Sequence, residues 1–305
     1  MTWKLSLLPL CFALECAAYQ THLPRPSEHG EDVARQLNLR NDDTRMACPD
    51  NRAAYYCNGV LIRATDAVPT ESDPRHAWDF SNETGTPEGL SFSYMRKDVD
   101  SRILYGPSAR PHGLILKQAD AFATAPGKEP VDVLCSFPYD GVTGSRATTG
   151  DPGKGSNGCG AGPSYPEESK PCASQGIDTV DSWRKHFNEV TAFPRQFYHQ
   201  CGFGTDQASF ALSIAARLPT GSVIEVMQHM EQMVGNWRVE APAELPIEAV
   251  FYTAGPYEVK GLEGARLIQR DYNLVTGKVI PIVRFTTDMS VDPFSYREAD
   301  QAIVR

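Results

Sequence analysis

Apolar and polar positions along this chain alternate in short runs, and the runs change period from place to place. Val60 and Ile62 alternate with Leu61 and Arg63, so a strand spanning Tyr55 to Ala64 ends with an arginine on the face opposite Ile62. Leu90 to Met95, Gly113 to Lys117 and Val131 to Phe137 are further apolar runs of strand length, the first entered through Gly85, Pro87 and Gly89. Glu231 to Trp237, Ile247 to Thr253 and Val279 to Phe285 read the same way, with Pro281 hinting at an edge or bulge. Helical spacing appears elsewhere. Glu31 to Leu39 suits a short helix. Val180, Trp183, Phe187 and Val190 share one helical face behind Asp178 as cap. Phe210, Ile214 and Leu218 share another behind Thr205 or Asp206, and Leu262, Ala265, Ile268, Tyr272 and Val275 a third, closed by Gly277. Strands and helices are interspersed without regular alternation, so the expected class is α+β.

The two ends of the pattern differ. Met1 to about Ala18 reads as a secretory signal peptide, with Lys4 before an apolar run from Leu5 to Leu14 and small residues near Ala18 for cleavage. A lipid anchor at Cys16 is the rival, weakened by Glu15. Residues 19–305 suit one large domain or two small ones and are read as a single domain. Within it, 139–176 is rich in Gly, Pro, Ser and Thr and reads as a long surface insertion. Gly150-Asp-Pro-Gly-Lys-Gly-Ser156 only imitates a phosphate loop, since no strand precedes it and no helix follows. No later segment is apolar enough to insert in a membrane.

Composition narrows the function. A net charge of -9 argues against nucleic acid as a partner. Eight cysteines are present, and Cys11 and Cys16 leave with the signal. Cys48, Cys57, Cys135, Cys159, Cys172 and Cys201 remain, an even set suited to bridges in an extracellular or periplasmic location. Six cysteines allow many pairings. Short loops favour Cys48–Cys57 and Cys159–Cys172, leaving Cys135–Cys201. The cysteines lack zinc-ligand spacing, so no metal is expected. Neither a Gly-x-Ser-x-Gly elbow nor a His-Glu-x-x-His pair is present.

Three features in order carry candidate chemistry. They are Leu61-Ile-Arg-Ala-Thr65, Gly89-Leu-Ser-Phe-Ser-Tyr94 and Glu231-Gln-Met-Val-Gly-Asn-Trp237. Each alone is ordinary: a strand-end arginine, a strand with hydroxyls two apart, a surface glutamate. Their order resembles the cholera-toxin-like ADP-ribosyltransferases. The longer stretches Tyr56 to Thr65, Gly89 to Arg96, Leu134 to Asp140, His199 to Phe203, Leu245 to Tyr252 and Asp271 to Ile282 resemble the halovibrins, secreted relatives of those enzymes. The resemblance implies an ADP-ribosyltransferase-like mixed β core with flanking helices and a disulfide-pinned loop. It implies a toxin-like NAD glycohydrolase or ADP-ribosyltransferase, with NAD as substrate, no prosthetic group and an acceptor protein as a possible second partner. Glu231 would be the catalytic carboxylate, with Glu225 as rival and Glu248 third. Arg63 would hold the pyrophosphate, Ser91 position the ribose or the glutamate, and Ser93 support the strand. Phe92, Tyr94 or Trp78 could stack near nicotinamide, although a core role suits each. His229 stands where arginine-modifying transferases carry a second glutamate, which favours water as acceptor. A non-catalytic secreted binding protein is the alternative, and a hydrolase using Ser91 has less support.

Overall fold

The computed structural model describes residues 26–65, 76–79, 90–99, 111–118, 132–139, 171–190, 200–217, 231–235, 245–288 and 290–303. They form α1 (Pro26–Asp42), β1 (Val60–Thr65), β2 (Leu90–Met95), β3 (His112–Leu116), β4 (Asp132–Phe137), α2 (Val180–Val190), α3 (Gln207–Arg217), β5 (Glu231–Gly235), β6 (Ile247–Thr253), α4 (Glu258–Thr276), β7 (Ile282–Phe285) and β8 (Phe294–Tyr296). The strands make one sheet of eight in the order β4-β5-β2-β1-β3-β6-β7-β8. All its pairs are antiparallel except β6 with β7. A parallel pair needs a crossover, and α4 supplies it. The class is mixed α+β, as the interspersed pattern predicts.

Helices cover the middle of the sheet on both faces. On one face Leu61, Phe92, Tyr94, Leu114, Val250 and Ile282 pack against Phe210 and Ile214 of α3 and Ala265, Ile268 and Tyr272 of α4. On the other, Val60, Ile62, Ile115, Ala249, Phe251 and Val283 pack against Val33, Ala34 and Leu37 of α1. Strands buried on both sides read as continuous apolar runs. That is why Val60-Leu-Ile62 and Ala249-Val-Phe-Tyr252 carry no polar alternation. A third cluster gathers Tyr139, Trp183, Phe187 and Phe203 beside Cys172 and Cys201.

Close approach of α4 depends on two glycines. A Cβ added at Gly261 would penetrate the backbone carbonyl of Pro111, and one at Gly264 the ring of His112. Gly277 closes the helix at φ 72°, as its position predicts. The chain's end is tied back by side chains that imitate strand pairing. Asn38 donates to Phe294 O at 2.9 Å and accepts from Phe294 N at 3.0 Å. Gln301 does the same to Ile282, at 2.9 and 2.8 Å.

Several boundaries differ from the sequence reading. Residues Ala54–Tyr56 form a 3-10 turn, and β1 starts only at Val60 because Gly59, at φ 67°, reverses the chain beneath the Tyr94 ring. The cap of α2 is Thr179, whose hydroxyl accepts from Ser182 N at 3.1 Å while Ser182 Oγ accepts from Thr179 N at 3.1 Å. Asp206 caps α3 by accepting from Ser209 N at 3.0 Å. The strand β8 has no counterpart in the sequence reading, since three residues are too few to show a period.

The disulfides divide. Cys48–Cys57 forms as the short loop suggests. Cys172, however, bonds Cys201, which replaces both Cys159–Cys172 and Cys135–Cys201. The reason is packing. The 3-10 turn Cys172–Gln175 lies against the 200–203 segment, with Cys172 N donating to Gly202 O at 3.0 Å. Cys135 is also disulfide-bonded. Residues 1–18, Glu225 and the 140–170 part of the insertion, with Cys159, lie outside the described residues. Among the described residues no helix is long and apolar enough to cross a membrane.

Candidate functional site

Three segments far apart in sequence become neighbours because β5 and β1 both pair with β2. Position 93 lies opposite position 231, and position 91 opposite 233. Position 62 lies opposite 93 on the other flank. Cross-strand partners share a face of the sheet. Positions 91, 93 and 231 therefore lie on the face that carries Ile62. Position 63 lies on the opposite face, beside Leu61, and pairs with Leu114 of β3. The sheet thus brings the serine strand and the glutamate strand together on one face and turns Arg63 to the other.

Burial sorts the remaining candidates. Ser93 is buried at 4% exposure, and Arg63 is half-buried. Phe92, Tyr94 and Trp78 are all core residues, at 0%, 2% and 2% exposure, which leaves no ring face open for nicotinamide. Tyr94 donates its hydroxyl proton to Asn58 Oδ1, and burial pushes the phenol well above its usual range. Trp78 donates to Asp271 at 2.6 Å. Glu248 is paired with Arg40 of α1, which assigns this third acid to an ion pair.

One constellation escaped the sequence reading. His76 Nδ1 lies 2.9 Å from Asp271 Oδ2, and its ring stacks on Trp78 at 4.7 Å between centroids. The two partners are separated by 195 residues, so no spacing rule could have joined them. Asp271 fixes the imidazole and binds the indole together, so the group anchors the Trp78 segment to α4. A second network joins α4 to the chain's end. Glu258 accepts from Arg284 at 3.0 and 3.1 Å and from Arg297 at 3.1 Å. Hydrogen bonding from Arg284 lowers the Glu258 carboxyl to about 2. Tyr252 donates to Asp300 at 2.6 Å, and burial first, then this bond, raises its phenol.

Among the described residues no cluster of His, Cys, Asp and Glu could hold a metal ion. Comparison with known protein families and with characterised proteins gave no match.

Proposed function

We propose that the chain is a secreted enzyme that cleaves the nicotinamide–ribose bond of NAD, as a glycohydrolase or mono-ADP-ribosyltransferase. The observation that carries the reading is the register of β2 against β5, which sets position 93 opposite 231 with position 91 two residues along on the same face. The resemblance implies a serine strand and a glutamate near a later strand, and a register that sets β2 beside β5 supports that reading.

The chemistry follows from the residue types. The bond from C1′ of ribose to the pyridinium nitrogen breaks, and neutral nicotinamide leaves with the electron pair. Positive charge develops on the ribose, as in glycoside hydrolysis. A carboxylate at 231 stabilises that charge and can hold the 2′-hydroxyl. Water or an acceptor side chain then adds to C1′ and loses a proton. His229 in place of a second glutamate favours water. Bonded cysteines support export to an oxidising compartment.

Arg63 on the opposite face separates the proposal into two parts. A guanidinium suits a pyrophosphate, yet it would have to meet NAD from the other side of the sheet. Arg63→Ala is therefore expected to leave nicotinamide release largely intact, whereas the double substitution Glu231→Ala with Glu225→Ala abolishes it. Wild-type release from the double variant would remove the mechanism. The same division of faces favours the second reading, a binding protein without catalysis. In that case no variant matters, because folded wild-type protein releases no nicotinamide.

A further inference from the structure

The helix α4 is apolar on two sides. Its inner side, with Ala265, Ile268 and Tyr272, lies buried against the sheet. Its outer side carries Val259 at 73% exposure, Leu267 at 45% and Leu274 at 85%. Seven large apolar side chains are exposed among the described residues, and five of them are these three, Val275 and the cap residue Tyr257, so the exposure is concentrated on this helix. A helix that lies on one sheet needs only one apolar stripe, and a second stripe marks a second contact.

The outer stripe matches itself when reversed. Leu267 is its centre. Glu263 stands four residues before it and Arg270 three after, while Val259 stands eight before and Leu274 seven after. At about 1.5 Å and about 100° per residue, all five fall within an arc of about 80°, and the members of each pair are equidistant from Leu267 to within about 1.5 Å. Glu263 and Arg270 are both exposed, and among the described residues neither has an ion-pair partner.

We propose that α4 is a dimerisation helix and that it packs on α4 of a second copy of this chain, antiparallel, about a two-fold axis at Leu267. An isologous contact sets i against j and j against i. The axis therefore brings Glu263 of each copy to Arg270 of the other, and Val259 of each to Leu274 of the other, with the two Leu267 side chains between them. A parallel pair would set glutamate against glutamate and arginine against arginine. A foreign partner would not require a stripe that complements itself, and this self-complementarity is what selects a second copy. The 19 residues of α4 span about 28 Å, so the contact is at the small end of specific interfaces and the expected Kd is on the order of 10 µM. The inference does not depend on the NAD chemistry above.

The test is analytical ultracentrifugation of the oxidised protein across concentrations up to about 500 µM. The variants are Leu267→Asp, Glu263→Arg, Arg270→Glu and the double reversal Glu263→Arg with Arg270→Glu, all at exposed positions, with thermal unfolding confirming that each is folded. The wild type is expected to dimerise. Leu267→Asp sets two like charges at the axis, and each single reversal sets like charges together twice, so each weakens dimerisation about tenfold or more. The double reversal restores the affinity to within about threefold, and a mixture of the two single variants dimerises at concentrations where neither does alone. Mere disturbance of α4 gives no such rescue. The proposal is overturned by a wild type that stays monomeric at about 500 µM, which would leave the stripe to another protein or to another segment of this chain. It is equally overturned by single reversals without effect, or by a double reversal that fails to restore the dimer.

Discussion

Gly261 offers a test in which two physical effects predict opposite signs. It sits in the first turns of α4 and is buried. In an isolated helix, replacing glycine by alanine stabilises by about 1 kcal/mol. Here the added Cβ would enter the carbonyl of Pro111 and stand 3.1 Å from Pro111 Cβ and 3.2 Å from Pro111 C. That carbonyl is fixed, since it accepts from Thr253 N at 2.8 Å at the end of β6. Backbone cannot rotate aside as a side chain can, so α4 must lift. Overpacking of this kind costs about 1–3 kcal/mol. Lifting also loosens Ala265, Ile268 and Tyr272 on the sheet. The clash outweighs the propensity gain, and Gly261→Ala is expected to destabilise by about 1 kcal/mol net. For a chain of this size that lowers Tm by roughly 2–4 °C. Thermal and urea unfolding of the oxidised protein read it directly. An unchanged or raised Tm would refute the close packing of α4 on the Pro111 segment.

Two further perturbations follow from bonds described above. Replacing Cys172 and Cys201 together by alanine opens a loop with a sequence separation of 29 and is expected to cost about 3–4 kcal/mol; non-reducing peptide mapping that joins Cys172 to any other cysteine would contradict the pairing. Glu258 has a folded value of about 2 against an ordinary 4.5, so its contribution to stability is present above about 4.5 and is lost as pH falls through about 2. Glu258→Gln should therefore lower stability at neutral pH and converge with wild type toward pH 2, and a deficit that does not shrink on acidification would show that Arg284 and Arg297 are not its cause.

How far the sequence could be read depended on whether a feature was local. Ile247–Thr253 is a seven-residue, mostly apolar run of strand length, and the strand β6 has those bounds. Gly277 and Asp206 act at helix ends through their own backbone or side chain, so both were legible. Cys48–Cys57 was legible because its loop is short. The pairing of Cys172 with Cys201 was not, because a turn and a distant segment meet only in the folded chain. Glu248 read as a mid-strand acid, while its partner Arg40 lies 208 residues away on α1. The candidate site shows the same limit. Strand character came from alternation at 63 and from short apolar runs of strand length at 91 and 231. Strand order and the face of each position depend on pairing, and pairing placed Arg63 opposite the others.

Nicotinamide release from NAD by the purified, oxidised protein, measured beside Glu231→Gln, tests the central claim most directly. The account predicts release by the wild type and loss of at least about a hundredfold in the variant, since a lost charge-stabilising group of this kind costs that order in rate. Release that is unchanged in Glu231→Gln, or no release from folded wild type, would contradict it.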